Sequence, residues 1–310
     1  MKGSCGKGFG IRLSRDLRRN WLLWLMFLPV FLYYLVLHYV PMYGILMAFK
    51  DYKVKLGIWN SPWVGFKHFE RLFSAHDFPN LVKNTFGISV YSLAVGFPAA
   101  ILFAVLLHYL TLSKLKKTVQ MVSYAPHFIS TVVMCGLIAI FLDTNSGMVN
   151  KLLNVLGHES ISFLGKPGMF KTIYVLSGVW QHMGWDAIIY ISALAGVDYE
   201  MHEAAIIDGA SKIQRIRYID LPSIKSTIIM LLILKLGSLM SVGFEKVYLL
   251  QNNLNFSASD ILSTYIYRMG LVRSDFEYST AAGLFNTLIN LVLLLSANKI
   301  SRKVAGEGLW

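Results

Sequence analysis

The stretch Trp21-Leu-Leu-Trp-Leu-Met-Phe-Leu-Pro-Val-Phe-Leu-Tyr-Tyr-Leu-Val-Leu-His-Tyr-Val-Pro-Met-Tyr-Gly-Ile-Leu-Met-Ala-Phe49 contains no Asp, Glu, Lys or Arg. A helix rises about 1.5 Å per residue, so about 20 apolar residues cross the roughly 30 Å of bilayer hydrocarbon. This stretch is long enough to do so. It is too long for the apolar region of a typical cleavable leader, is dense in Trp and Tyr, and lacks a small-residue cleavage site, so the expectation is a span retained in the mature protein.

Five further stretches pass the same test, near Asn84 to His108, Val119 to Leu142, Phe170 to Ala195, Ile228 to Leu250 and Ser279 to Ala297. Of the 310 residues 55% are hydrophobic and only 15% charged, far from the composition of a soluble domain. Lipid cannot satisfy free backbone groups, and the short alternating segments of a barrel are missing, so the fold class predicted is an all-α polytopic membrane bundle of six helices.

A net charge of +12 raises nucleic acid as a partner, but in a six-span chain the distribution of Lys and Arg among loops is what matters. If both termini lie on the cytoplasmic side, segments 1–20, 111–117, 197–225 and the tail after Ala297 hold most of the 29 basic residues in the shorter total length. That orientation follows the positive-inside rule, and no nucleic-acid role is expected.

The expected organisation is a basic tail 1–20, a membrane domain 21–299 and a second tail 300–310. Arg12, Arg15, Arg18 and Arg19 alternate with Ile11, Leu13 and Leu17, which fits either an amphipathic surface helix or a solvated tail. Cys5 and Cys135 fall in separate, reducing or lipid surroundings, so no disulfide is expected.

The most informative loop is 197–225. Glu200 to Ile207 favours a helix, Gly209 supplies a helix-ending positive φ, Ser211 is a suitable N-cap for a second helix, and Pro222 opens the fifth span. The second helix places Ile213, Ile216 and Ile219 on one face and Lys212, Arg215 and Arg217 on the other. Such an element needs a surface for its apolar side, whether a partner or the bilayer. A DNA-reading helix-turn-helix is excluded by its position between two spans.

Within this loop Glu203-Ala204-Ala205, Asp208-Gly209, Ile219 and Leu221-Pro222 resemble the EAA loop of bacterial ABC-type importer permeases. Pro41-Met42-Tyr43-Gly44, Ser61-Pro62-Trp63-Val64-Gly65-Phe66, Phe244-Glu245-Lys246 and Gly308-Leu309-Trp310 are similar to the subfamily that imports complex oligosaccharides.

The resemblance implies the type I importer permease fold in a bacterial inner membrane and a chain without catalytic activity. It implies a second permease subunit, two ATPase subunits that bind ATP and Mg, an external sugar-binding protein and an oligosaccharide substrate. It also implies that Glu203, Ala204, Ala205, Asp208, Gly209, Ile219, Leu221 and Pro222 form the contact with the ATPase.

No G-x-x-x-x-G-K-[ST] occurs, so ATP hydrolysis and any cofactor are expected on another chain. The eight His lack metal-ligand spacing, and no metal is expected. His127 and His182 are read as histidines satisfied by neighbouring helices.

Polar groups at membrane depth mark a candidate substrate path: Trp180, Gln181, Trp185, Asp186 and Tyr190 on the fourth span, with Asn286 and Asn290 on the sixth. Aromatic faces pack on sugar C–H surfaces while the polar groups bond hydroxyls, although Trp and Tyr also serve as interfacial belts. Lys235, Glu245 and Lys246 in the fifth span are expected to pair across the bundle or reach its outer end. Trp59, Trp63 and Phe66 in the first outer loop suit either docking of a binding protein or packing on the bundle's own crown. An ion-coupled secondary transporter would share the apolar spans but has no use for the loop, and a membrane enzyme lacks a motif.

Overall fold

The computed structural model describes residues 19–306, 308 and 309. The basic segment 1–18, with Cys5 and the first three of the four arginines read above, lies outside the described residues. All described elements are helical, apart from one isolated bridge between Lys50 and Trp63.

Helix α1, Trp21–Phe49, has the bounds read from the sequence. Its turns widen at Leu35–Tyr39, just before Pro41, where a missing N–H would otherwise interrupt the regular ladder. It is apolar around its circumference and almost wholly exposed, so its solvent is lipid or another membrane helix.

Helix α2, Phe78–His108, packs along helix α5, Pro167–Ala195, to form the centre of the molecule. Small side chains make this close approach available: Ala100 and Ala104 of α2 meet Ala187, Tyr190 and Leu194 of α5. Gly184 of α5 lies against the backbone of Ser123, where a Cβ would collide.

The predicted third span, 119–142, is two helices: α3, Ser113–Phe128, and α4, Thr131–Phe141, bent by 103°. Pro126 and the extended backbone of Ile129 and Ser130 break the helix, and Ser130 caps α4 by accepting from Val133 N. The predicted fifth span, 228–250, is also discontinuous. Helix α8, Lys225–Gly237, and helix α9, Phe244–Leu250, are separated by non-helical backbone, and the loop helices α6, Tyr199–Ile207, and α7, residues 212–220, precede them. The last helix, α10, covers Phe276–Ala305.

Among the described residues three helices are long and apolar enough to cross a bilayer, α1, α2 and α10, or four if the bent α3–α4 pair counts as one. Helix α5 has 29 residues but carries Lys171, Gln181, His182 and Asp186. At the centre the apolar α2 therefore packs on the more polar α5, and the broken α8–α9 pair borders the same cavity. This is where a bundle surrounds an aqueous space and the polar groups turn away from lipid.

Candidate functional site: a projecting loop beneath a polar cavity

Helix α6, Tyr199–Ile207, starts at Asp198, whose carboxylate accepts from Glu200 N at 3.0 Å. It ends in Gly209, at φ +79°, while Ala210 N reaches back to Ala205 O at 2.8 Å. Helix α7 starts with Lys212–Arg215 under a reciprocal cap: Gln214 Oε1 accepts from Ser211 N at 2.7 Å, and Ser211 Oγ accepts from Gln214 N. Its turns widen over Ile216–Asp220 before Pro222, which lies in the turn Leu221–Ser223, ahead of α8 rather than within it.

The expected apolar stripe is split. Ile219 is buried, whereas Ile213 is 76% exposed and Ile207 of α6 is 84% exposed. Glu203, Ala204, Asp208 and Pro222 are exposed as well, Ala205 and Leu221 partly so. The loop thus presents apolar and acidic groups outward from two tightly capped helices.

Beside the apolar contacts of Ile216, Leu221 and Ile224, its attachment to the bundle has a polar part that was not legible in the sequence. Asp220 is fully buried; Tyr109, just beyond α2, donates its hydroxyl to Asp220 Oδ2 at 2.7 Å. His202 Nε2 of α6 lies 3.1 Å from Asp220 Oδ1, and the His108 ring stands 6.2 Å from the His202 ring. Burial, and then the bond to Asp220, push the Tyr109 pKa upward, so this phenol remains a donor. The Arg215 guanidinium covers the Tyr109 ring at 5.6 Å. These residues come from three separated segments, with no spacing to connect them.

Above the loop, α2, α5, α8 and α9 enclose a cavity of about 430 Å³ bordered by Ser92, Tyr174, His182, Asp186, Lys235 and Lys246. A second, of about 310 Å³, lies beside Trp185, Asp186, Tyr190 and Lys235. Lys235 pairs with Asp186 at 2.9 Å. Lys246 is 8% exposed and donates to Tyr174 O at 3.1 Å, over the Tyr174 ring, with no carboxylate among its described partners. The pairing expected between Glu245 and a lysine is not formed; Glu245 is exposed.

The candidate path residues separate. Asp186, Trp185 and Tyr190 border cavities. Trp180 is exposed on the outside of α5, and Gln181 is buried, donating to Ile129 O at the α3–α4 bend. Asn290 braces the α8–α9 break, accepting from Met240 N at 2.8 Å and donating to Ser241 Oγ at 3.0 Å. Asn286 lines neither cavity. His127 and His182 face each other at 3.1 Å between ring nitrogens, and Trp185 stacks on His127. In the outer loop Trp59 stacks on Tyr43, Trp63 on Phe49, and Phe66 meets Phe49 edge-on, yet all three stay exposed on their other faces.

An all-helical bundle with a capped double-helix loop under a polar, discontinuous core defines an integral membrane transport subunit. Residues 96–306 match the family described as binding-protein-dependent transport system inner membrane component, and the chain belongs to that family.

Protein LplB of Bacillus subtilis is 42% identical, covering 98% of this chain and 95% of the relative. The polygalacturonan/rhamnogalacturonan transport system permease protein YteP of Bacillus subtilis is also 42% identical, over 96% and 93%. Among solved structures, a chain of the bacterial alginate ABC transporter in complex with an alginate pentasaccharide-bound periplasmic protein superposes with a TM-score of 0.89 at 39% identity, covering 96% of this chain and 100% of that one.

Proposed function

We propose that the chain is one of two membrane subunits of an ABC importer, forming half of the path for an oligosaccharide delivered by an external binding protein. In this reading it spans the bacterial inner membrane six times with both termini cytoplasmic, the bent α3–α4 pair and the broken α8–α9 pair each counting as one span. The carrying observation is the projecting loop, in which Glu203, Ala204, Ala205, Asp208 and Gly209 stand outward while Ile219, Asp220 and His202 hold it to the bundle. Two rigid helices on a tight turn transmit a rigid-body displacement that a slack loop would absorb. ATP and Mg bind the partner ATPases.

The substrate is an anionic oligosaccharide. Lys246 is a buried cation beside the main cavity, and a buried charge is costly without a partner; a passing uronate carboxylate supplies one. Relatives named for polygalacturonan/rhamnogalacturonan and for the acidic polysaccharide alginate support this reading.

The test is ATP hydrolysis by the assembled complex, stimulated by loaded binding protein. Gly209→Pro cannot adopt the native φ of +79°, because proline fixes φ near −65°, and is expected to abolish stimulation; unchanged stimulation removes the coupling role. Lys246→Met is expected to slow uptake of oligogalacturonate at least about tenfold, the rate equivalent of about 1.4 kcal/mol. Unchanged uptake removes the anionic reading while leaving the permease reading intact.

A further inference from the structure

The attachment of the loop contains an unresolved polar conflict. His202 Nε2 and Asp220 Oδ1 are both buried and 3.1 Å apart, yet they are not aligned for a hydrogen bond, and neither atom has another partner among the described residues. Orphaned buried polar atoms are costly, and native proteins satisfy them. His108, half-buried at the end of α2, brings a third donor: one ligand atom from each of His108, His202 and Asp220 lies within 4.8 Å of the others.

We propose that His108, His202 and Asp220 form a binding site for a divalent transition metal, best matched by Zn²⁺, that fastens the end of α2 to both helices of the loop. Two imidazoles and one carboxylate are a donor set suited to Zn²⁺, Ni²⁺ or Cu²⁺; Mg²⁺ and Ca²⁺ require more oxygen ligands. At a tetrahedral centre with metal–ligand bonds of about 2.0–2.1 Å, ligand atoms stand about 3.4 Å apart. His202 and Asp220 are close to that separation, and the His108 ligand atom lies within 4.8 Å of both on the third side.

Tyr109 supports the same site from outside. Its hydroxyl occupies Asp220 Oδ2 and leaves Oδ1 turned toward His202, the arrangement in which an outer partner orients a ligating carboxylate. Three protein ligands leave a fourth position open, for water or for a group from a partner chain. Nothing in this assignment depends on the transported substrate or on the importer reading.

The experiment uses the purified full-length chain in detergent, stripped with a chelator and free of any affinity tag. Equilibrium dialysis against Zn²⁺ is expected to give one tightly held ion per chain, and Co²⁺ the visible spectrum of a nitrogen- and oxygen-ligated tetrahedral centre. His202→Ala and His108→Ala are each expected to lose the ion and the Co²⁺ spectrum. Tyr109→Phe is expected to weaken affinity by about 10–100-fold, as for other outer-shell partners. His158→Ala, at an exposed outer-loop histidine, is expected to change nothing. Because His108 is only half-buried, His108→Ala keeps the test decisive if the other variant fails size-exclusion chromatography. Absence of stoichiometric uptake, or uptake that His108→Ala and His202→Ala leave unchanged, overturns the proposal and leaves a structural His–Asp pair.

Discussion

The loops on the two sides of the bundle are held by opposite strategies. On the α2 N-terminal side, the segment between α9 and α10 is closed by side chains that use nearly all of their bonding capacity. Asp260 takes a bidentate bond from Arg268 at 2.7 and 3.1 Å and one from Thr264. Asn84 donates to Ser257 O and Asp260 O, and Asn255 to Leu164 O and Leu250 O. The bond to Asp260, ahead of the opposing effect of burial, raises the Arg268 pKa, so the guanidinium stays charged.

On the other side, α6 and α7 are well capped but touch the bundle through a small patch around His202, Ile219, Asp220 and Ile224, leaving Ile206, Ile207, Ile213 and Tyr218 exposed. One face is complete within the chain, while the other presents the surface that a partner would finish. A moving joint needs such a difference: a fixed rim, and a rigid lever on a narrow foot.

Removing the rim's central carboxylate should have the largest effect on stability. Asp260→Ala leaves the Arg268 guanidinium and Thr264 without their partner, and the expected loss is about 3 kcal/mol, read as a lowered thermal midpoint in detergent. A loss below about 1 kcal/mol would mean that the rim is not the fixed side. Tyr109→Phe, on the foot of the lever, is expected to cost less, about 1–2 kcal/mol, because one buried carboxylate oxygen loses its donor. Its effect should be local: faster tryptic cleavage at Lys212, Arg215 or Arg217, with cleavage at Lys151 unchanged. Equal acceleration at both sites would erase the distinction between the faces.

Much of the frame was legible because it is encoded locally. The uninterrupted apolar run 21–49 gave α1 its bounds, and Gly209 and Ser211 announced the turn and cap between α6 and α7 by the chemistry of their own residues. What was not legible depends on contacts between distant segments. A hydropathy window averages over Ile129 and Ser130, so the 103° bend looked like one span, and over Ser238 to Gly243, so the α8–α9 break looked continuous.

For the same reason Gln181 and Asn290 read as path-lining groups. Each instead saturates the backbone exposed at one of those breaks. Asp220 carried no signal at all, since its partners lie on α6 and at the end of α2. Lys235, Glu245 and Lys246 read as groups that pair across the bundle or reach its outer end; Lys235 does pair with Asp186, whereas the helical turn at Phe244–Leu250 leaves Glu245 exposed and Lys246 buried.

The central claim is that the exposed loop face meets the ATPase. It is tested most directly by placing a photo-crosslinking side chain at Ile207 or Ile213 in the assembled complex, with Trp180 on the outside of α5 as the comparison. The account predicts adducts to the ATPase subunit from both loop positions and none from Trp180. An intact complex that gives no ATPase adduct from Ile207 or Ile213 would contradict it.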